Sequence, residues 1–491
     1  MPQRVMGLLN LALVALGGLV LASWVFLAAV HLDDRYAVGH GQGVWMALAQ
    51  GLNTQGLYPE LYDGHAYGGS RYMPASIVLH AALARVTGEY LVAGKLLGFV
   101  VTLLLVILIF LILRSMACPP PVAIALSAAV VGSYAGLLAG TTIGGDPLPV
   151  LLQVAAVAVV ARSARTSASV WAAALAACAV LSKSSALWAS AAITAWLTAF
   201  DRRRLRVFAV AFPAFTLALV GLANLASEGR LLENLVGLSG AGISGPTALA
   251  SPFRLLGDVV RLEPGAWALV PLAVAGALFA RGADDVSIYH IGLAAALCIL
   301  LVVYADIGTG PNQLVDLTVL TVLCVGHLAG RAAGTAGDGP RVAAIIALTL
   351  VFVNLSALTV TLRTPLQDAI RTVVTGRSSY PSNSLAGKVT AEMKVLSEDP
   401  AVLVRLGRSP VVYDPFMLPR IEKQNPAAVR ELARRIDAQE FDLVVLVVPL
   451  EPISNPWWRD YHLGQTVVAA VDRAYDFAEQ VDGYYLYRPT R

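Results

Sequence analysis

Charge is what this sequence has least of: only 14% of its 491 residues are Asp, Glu, Lys or Arg, and the formal net charge is +3. So small a surplus, with its Arg and Lys dispersed, does not make the basic face a nucleic acid needs, which excludes nucleic-acid binding. Cysteine is scarce as well. Cys118, Cys178, Cys298 and Cys324 all fall inside apolar runs without CxxC or Cys/His spacing. Neither a disulfide framework nor a zinc site is indicated, and each reads as a small core residue. No Walker A loop, HExxH pair or GxSxG nucleophile elbow occurs, and no repeat of solenoid type.

What is abundant is hydrophobicity, at 57% of residues with a mean hydropathy of +0.69, outside the range of a soluble globular chain. Much of the surface must be solvated by lipid. The apolar run 7–30 after Arg4 is too long for the core of a cleaved signal peptide and ends in a polar stretch, so it reads as a retained first span. Further apolar runs cover 91–113, 122–139, 148–161, 170–181, 185–200, 207–225, 265–280, 288–304, 314–329 and 342–362. Together they predict a mainly α, polytopic bundle of about eleven spans. Several are short enough to be kinked or partly re-entrant.

Basic residues in short loops stay cytoplasmic. Arg4, Arg114, Arg162 with Arg165, the run Arg202, Arg203, Arg204 and Arg206, Arg281, and Arg331 with Arg341 all fall on one side if every run crosses. That requires the stretch 170–200 to be cut into two short crossings. The N-terminus is then cytoplasmic and everything after residue 362 extracytoplasmic, most simply in a bacterial cell membrane. The segment 75–86, short and carrying His80 and Arg85, reads as an interfacial or half-embedded helix rather than a twelfth crossing.

Two domains follow: a membrane domain, 1–363, with a long first outer loop, 31–74, and a small extracytoplasmic α/β domain, 364–491. Within the loop, Val44, Trp45, Leu48, Ala49 and Leu52 make one apolar helix face, expected to lie flat on the membrane. The outer stretch 226–264 is rich in Gly, Ser and Pro and reads as a mobile loop able to cover a site. In the tail, expected strands at 411–413 and 442–449 alternate with a helix at 426–438, and Asp482-Gly483 predicts a two-residue hairpin turn. Trp457, Trp458 and Tyr461 belong to the tail's core or to its contact with the membrane.

The polar residues at the outer ends of the spans are the candidates for chemistry. Asp33 and Asp34 follow the first span directly; they are either an interfacial pair or, if other ionisable groups converge on them, functional. Asp146, in Gly144-Gly145-Asp146-Pro147, fits a helix N-cap and can equally face a cavity. Lys183, between Ser182 and Ser184, either snorkels to the interface or binds a phosphate. Arg71 and Tyr72, before Met73-Pro74, are a phosphate-binding cation beside an aromatic or an interfacial anchor. Asn312, in Gly310-Pro311-Asn312-Gln313, opens a late span, where capping is the simpler role. Asp284-Asp285, beside Arg281 on the cytoplasmic side, reads as a solvated loop.

The order and sidedness of these motifs resemble the GT-C class of membrane glycosyltransferases, especially the protein mannosyltransferases and bacterial aminoarabinose transferases. The matching stretches are Asp33-Asp34, the loop ending Gly-Gly-Ser-Arg71-Tyr72-Met-Pro, Gly-Gly-Asp146-Pro, Lys183 with its serines, Gly-Pro-Asn312, and a last stretch ending Gly-Tyr-Tyr-Leu-Tyr-Arg. The resemblance implies a polyprenyl-phosphate-linked sugar donor and an acceptor hydroxyl on a glycan, lipid or protein at the outer face, with inversion at the anomeric carbon. It implies that the first loop carries the catalytic acid residue, Asp34 by preference with Asp33 orienting it. Asp146 would then position the acceptor or a cation, Lys183, Arg71 and Tyr72 would hold the donor phosphate, and Asn312 would contact substrate. A divalent cation is compatible, although no ligand set is complete in sequence. The sequon-reading WWD motif of the oligosaccharyltransferases is missing, since Trp457-Trp458-Arg459 is not that motif although Asp460 follows, which disfavours peptide-sequon transfer. A transporter or flippase of a lipid-linked saccharide is the competing reading; against it, the charged candidates cluster at the outer ends rather than along a mid-span route. A noncatalytic scaffold would leave the convergence of Asp34, Asp146 and Lys183 unexplained.

Overall fold

A computed structural model describes residues 3–238, 243–278, 286–335, 338–380, 385 and 387–490; Arg281 and Asp284-Asp285 lie outside them. Each apolar run is helical over most of its described length, the arrangement that satisfies backbone N–H and C=O groups without water. Five helices are long and apolar enough to cross a membrane: Arg4–Val30, Tyr90–Ser115, Arg202–Ala226, Pro311–Gly334 and Gly339–Thr361. Two bent pairs raise the count to as many as seven. One of them, Pro120–Gly132 with Tyr134–Thr141, bends by 73° at Ser133, whose hydroxyl accepts the Gly136 N–H and so starts the second helix. Pro147–Arg162, Thr166–Ser182, Trp188–Phe200 and Ile288–Val303 are apolar but shorter. Length alone therefore supports fewer crossings than the eleven or so expected from the apolar runs.

The polar chain ends nevertheless sort into two ends of the bundle. At one, Arg162 donates to the Leu111 carbonyl at 2.8 Å and to Ser115 at 3.0 Å. Arg204 donates to the Val160 carbonyl at 3.0 Å, and Gly330 packs against the Met116 carbonyl. At the other end, Lys183 meets Asp146. Helices Thr166–Ser182 and Trp188–Phe200 thus run back and forth between the ends, the geometry expected from cutting 170–200 in two.

The first loop and the C-terminal residues pack together at the Asp146 end. Helix His40–Thr54 buries Val44, Leu48 and Ala49 against helix Pro74–Thr87 and helix Ala401–Val404. Its apolar face meets protein, not the membrane plane expected for it: periodicity marks a buried face without saying what buries it. The stretch 226–264 also departs from expectation. Residues 239–242 lie outside the described residues, and on either side of them the stretch forms not a loop but helices Arg230–Leu238 and Gly245–Leu262, the second started by a Ser244 capping box and a proline in its first turn.

The C-terminal sheet has strands β1 (Val395–Ser397), β2 (Leu443–Leu446), β3 (Tyr475–Val481) and β4 (Tyr484–Pro489) in the order β1-β2-β4-β3, with β1 and β2 parallel and the other pairs antiparallel. Leu443–Leu446 is buried on both faces, under helices Pro426–Asp437 and Gln465–Ala474 on one side and Leu385, Val402 and Leu403 on the other. The expected hairpin forms, with Asp482 at φ 47° and Gly483 at φ 83°, the left-handed pair a two-residue turn requires. The stretch 411–413, expected in the sheet, instead joins Tyr67 of the first loop. Tyr67 N–H donates to the Val411 carbonyl at 2.7 Å, and Tyr413 N–H to the Tyr67 carbonyl at 2.9 Å.

Candidate active site

Three polar groups stand at the end of the bundle where the first loop, the chain turns and the C-terminal residues meet. The first is built on Asp34, just past the end of the first long helix. Its carboxylate is buried and accepts from Ser378 at 2.6 Å and the Tyr36 N–H at 2.8 Å, with the His31 ring nitrogen at 2.7 Å. Lys95 Nζ is 3.5 Å from the carboxylate and donates to the carbonyls of His31 and Asp34 at 2.5 and 2.7 Å. Burial works against the charge, but the bonds from His31, Ser378 and Tyr36, with the Lys95 charge, hold the Asp34 carboxyl below the usual carboxylate range. Asp33 is exposed, and the bonds to the Asp34 carboxylate named above come from other residues.

The second group is centred on Asp146. The residue occupies the N-cap position of helix Pro147–Arg162 but makes no side-chain cap bond. One carboxylate oxygen instead takes Lys183 Nζ at 2.6 Å and the other takes Asn312 Nδ2 at 2.7 Å. Lys183 also donates to Gln313 at 2.6 Å. Three candidates far apart in sequence are thereby joined, and neither capping by Asp146 nor snorkelling by Lys183 describes them. Burial opposes the Asp146 charge, yet Lys183 and Asn312 hold its carboxyl below the ordinary range.

The third group joins the body to the C-terminal residues. Arg71 is ion-paired with Asp306 and lies over the Phe416 ring at 4.8 Å, while Arg420 covers the same ring at 3.8 Å. Asp414 is buried beside them, its carboxyl raised by burial in spite of Arg71, His462 and Arg420. Tyr72 lies within the fields of Asp414, Arg71, Asp146 and Asp306, so it stands between the second and third groups. The Trp45 ring lies 4.4 Å from that of Tyr72, and the Gly145 Cα approaches it so closely that a Cβ there would collide with it. The Asp34 group connects through the 141–147 turn, where Thr142 donates to the Ala37 carbonyl at 2.5 Å.

No protein-family model matches the sequence, and no curated protein matches it significantly. Solved structures do. ArnT from Cupriavidus metallidurans bound to undecaprenyl phosphate aligns over 96% of this chain and 97% of its own, with a TM-score of 0.60 at 12% identity. The apo oligosaccharyltransferase of Archaeoglobus fulgidus aligns over 96% of this chain and 74% of its own, at 0.51 and 14%. Both are GT-C membrane glycosyltransferases. The chain has the GT-C fold.

Within this GT-C fold several residues of the candidate site are not marked by the sequence pattern. Lys95 interrupts the apolar run 91–113 in the second turn of its helix, and a lone lysine in a span is the signal the sequence offers. Asp306 sits in the turn before Gly-Pro-Asn312, and Gln313 beside Asn312 itself. His31, Ser378, Asp414 and Arg420 carried no signal, because each gains meaning only from a partner distant in the chain. Among the described residues no group of three His, Cys, Asp or Glu side chains is placed to hold a metal ion.

Proposed function

We propose that this chain is an inverting glycosyltransferase that moves a sugar from a polyprenyl-phosphate donor to an acceptor hydroxyl on a glycan, lipid or protein at the outer face of the membrane. The observation that carries the reading is the adjacency of Asp34 and Lys95: a buried carboxylate held ionised beside a buried ammonium, at the mouth of a bundle whose neighbour ArnT was solved with undecaprenyl phosphate. Asp34 accepts the acceptor's proton as its oxygen attacks the anomeric carbon. The bond from that carbon to the phosphate oxygen breaks, and its electron pair leaves on the polyprenyl phosphate. Attack opposite the leaving group inverts the centre.

The departing phosphate needs cations that are fixed before the reaction. Lys95 supplies one at the end of a long helix, with Lys183 and Arg71 further along the same surface. Each of the latter two is paired with a carboxylate, Asp146 and Asp306, so a phosphate binding there exchanges one partner for another instead of meeting a bare charge. Asn312 fixes Asp146, and Tyr72 lies between the two pairs. The shorter apolar helices complete the membrane body by running between the same two ends as the long ones.

The test is transfer by purified protein given polyprenyl-phosphate sugars and a panel of acceptors. Asp34→Asn is expected to lower kcat by about 10²–10⁴-fold. Lys95→Met is expected to raise the donor KM with a lesser loss for Lys95→Arg, which keeps the charge. If Asp34→Asn transfers at the wild-type rate while Asp33→Asn does not, the base is Asp33. Movement of lipid-linked sugar across vesicles with no transfer to any acceptor would establish the flippase in place of the transferase.

A further inference from the structure

A cavity of about 580 Å³ that shares no lining residue with the three groups described above is walled by the first loop, helix Arg230–Leu238 and helix Leu418–Gln424. Its size is that of a small-molecule site. The polar lining is dominated by oxygen acceptors: Glu60, Glu228 and Glu233, against the single cation Arg230. Arg230 is engaged by Glu60 at 3.3 Å, by Glu228 at 3.1 Å and by the Tyr58 carbonyl at 3.0 Å. Gln424 spends its NH₂ on the Gly237 carbonyl at 2.5 Å, which leaves its amide oxygen as another acceptor. Tyr62, Leu61 and Ile421 add an aromatic and aliphatic patch.

An excess of acceptors beside an apolar patch fits a ligand rich in O–H donors that also has a C–H face. Three carboxylates against one guanidinium exclude an anion. We infer that this cleft binds an uncharged or amino-bearing saccharide chain, and so holds the remote part of a glycan acceptor; the acceptor role rests on the glycosyl-transfer reading above.

The cleft is mechanically joined to the reaction end. Gly69, at φ +90°, passes so close to Leu61, Leu238 and Ile421 that a Cβ would lie 3.0–3.3 Å from them, and its left-handed conformation favours glycine. The next residue, Ser70, donates its N–H to Asn234 on the wall helix at 2.7 Å. Arg71 and Tyr72 follow directly. The backbone packed behind Leu61 and Ile421 of the cleft and the backbone that carries Arg71 are therefore one segment, and a chain seated in the cleft also helps fix that segment.

Direct binding tests this without any transfer reaction. Full-length protein in nanodiscs would be titrated with linear trisaccharides of glucose, mannose, N-acetylglucosamine and glucosamine, and with trilysine as a cationic peptide control. Saturation-transfer contacts and Kd would be read for wild type and for Glu233→Ala and Glu60→Ala, exposed positions whose loss leaves the fold intact. At least one saccharide is expected to bind, with Kd raised tenfold or more in both variants. In the transfer assay both variants should raise the acceptor KM with kcat and donor KM unchanged. Saccharide binding that needs Glu233 in a protein that transfers nothing would uphold the site and defeat only the transferase reading. The inference is overturned if no trisaccharide binds at millimolar concentration, if trilysine binds more tightly than every sugar, or if an active enzyme keeps its acceptor KM in both variants.

Discussion

Asp146 shows what a single residue could and could not declare. Two glycines before it and a proline after it announced a carboxylate at a helix start, and that much was legible. Where the side chain pointed was not, because an N-cap and a buried ion pair begin from the same backbone. The structure sends it to Lys183 and Asn312, with Asp146 and Lys183 side chains only 23% and 22% exposed. Since the Asp146 carboxyl is held below its usual value, its ionised form favours the fold. That contribution is complete above the ordinary carboxylate pKa of about 3.9 and is lost as pH falls through the lower folded value. Asp146→Asn is therefore expected to cost roughly 1–3 kcal/mol at neutral pH by leaving Lys183 with one partner fewer. The gap from wild type should narrow below about pH 4 and close once the wild-type carboxyl is protonated. Thermal unfolding in detergent from pH 7 to pH 3 checks this; a gap unchanged across the range would mean that the pair does not stabilise through charge.

Lys95 illustrates the opposite limit. A lysine inside an apolar run is visible in any sequence, but its partners, the His31 and Asp34 carbonyls and the Asp34 carboxylate, lie more than sixty positions earlier. Nothing local announces that pairing. The same holds for Ser378, which reaches Asp34 from the far side of the chain.

At the level of elements, helices were the legible part, since uninterrupted apolar runs leave the backbone no other way to satisfy itself. Partners were not. Helix His40–Thr54 was visible from its periodicity, yet the helices that cover it, Pro74–Thr87 and Ala401–Val404, come from beyond the first loop and from the C-terminal residues. The clearest mark of that packing is Gly43, where a Cβ would collide with the Asp399 carboxylate and lie 2.8 Å from the Ala401 amide nitrogen. Backbone at that distance cannot rotate away. Gly43→Val is thus expected to destabilise the docked arrangement by about 1–3 kcal/mol, the range for overpacking. Faster hydrogen exchange is expected across helix Ala401–Val404, with Tyr90–Ser115 unchanged. Equal exchange in both proteins would show that the helix is not clamped there. The strand at 411–413 failed for a related reason: its hydrophobic pattern was right, but the pairing that uses it is with Tyr67, outside the sheet that the tail suggested.

For the whole molecule, the decisive property is which way it faces. The two ends of the bundle differ in kind: one gathers Arg114, Arg162 and Arg204 onto backbone carbonyls, the other gathers carboxylates, ion pairs and the C-terminal sheet. Basic short loops remain on the cytoplasmic side, so the first end is expected inside and the second, with the proposed site, outside. Cysteine labelling can decide it. Of the four native cysteines Cys118 and Cys324 are buried, Cys178 is half-buried and Cys298 is exposed, so Cys178→Ala with Cys298→Ala gives a quiet background for Arg203→Cys at one end and Lys394→Cys at the other, both at exposed positions. In intact cells a membrane-impermeant maleimide should label Lys394→Cys and leave Arg203→Cys untouched until the cells are lysed. The reverse pattern would place the site in the cytoplasm, where a donor oriented for the outer leaflet could not reach it. Labelling of both positions in intact cells would mean that the two ends of the bundle do not lie on opposite faces of the membrane.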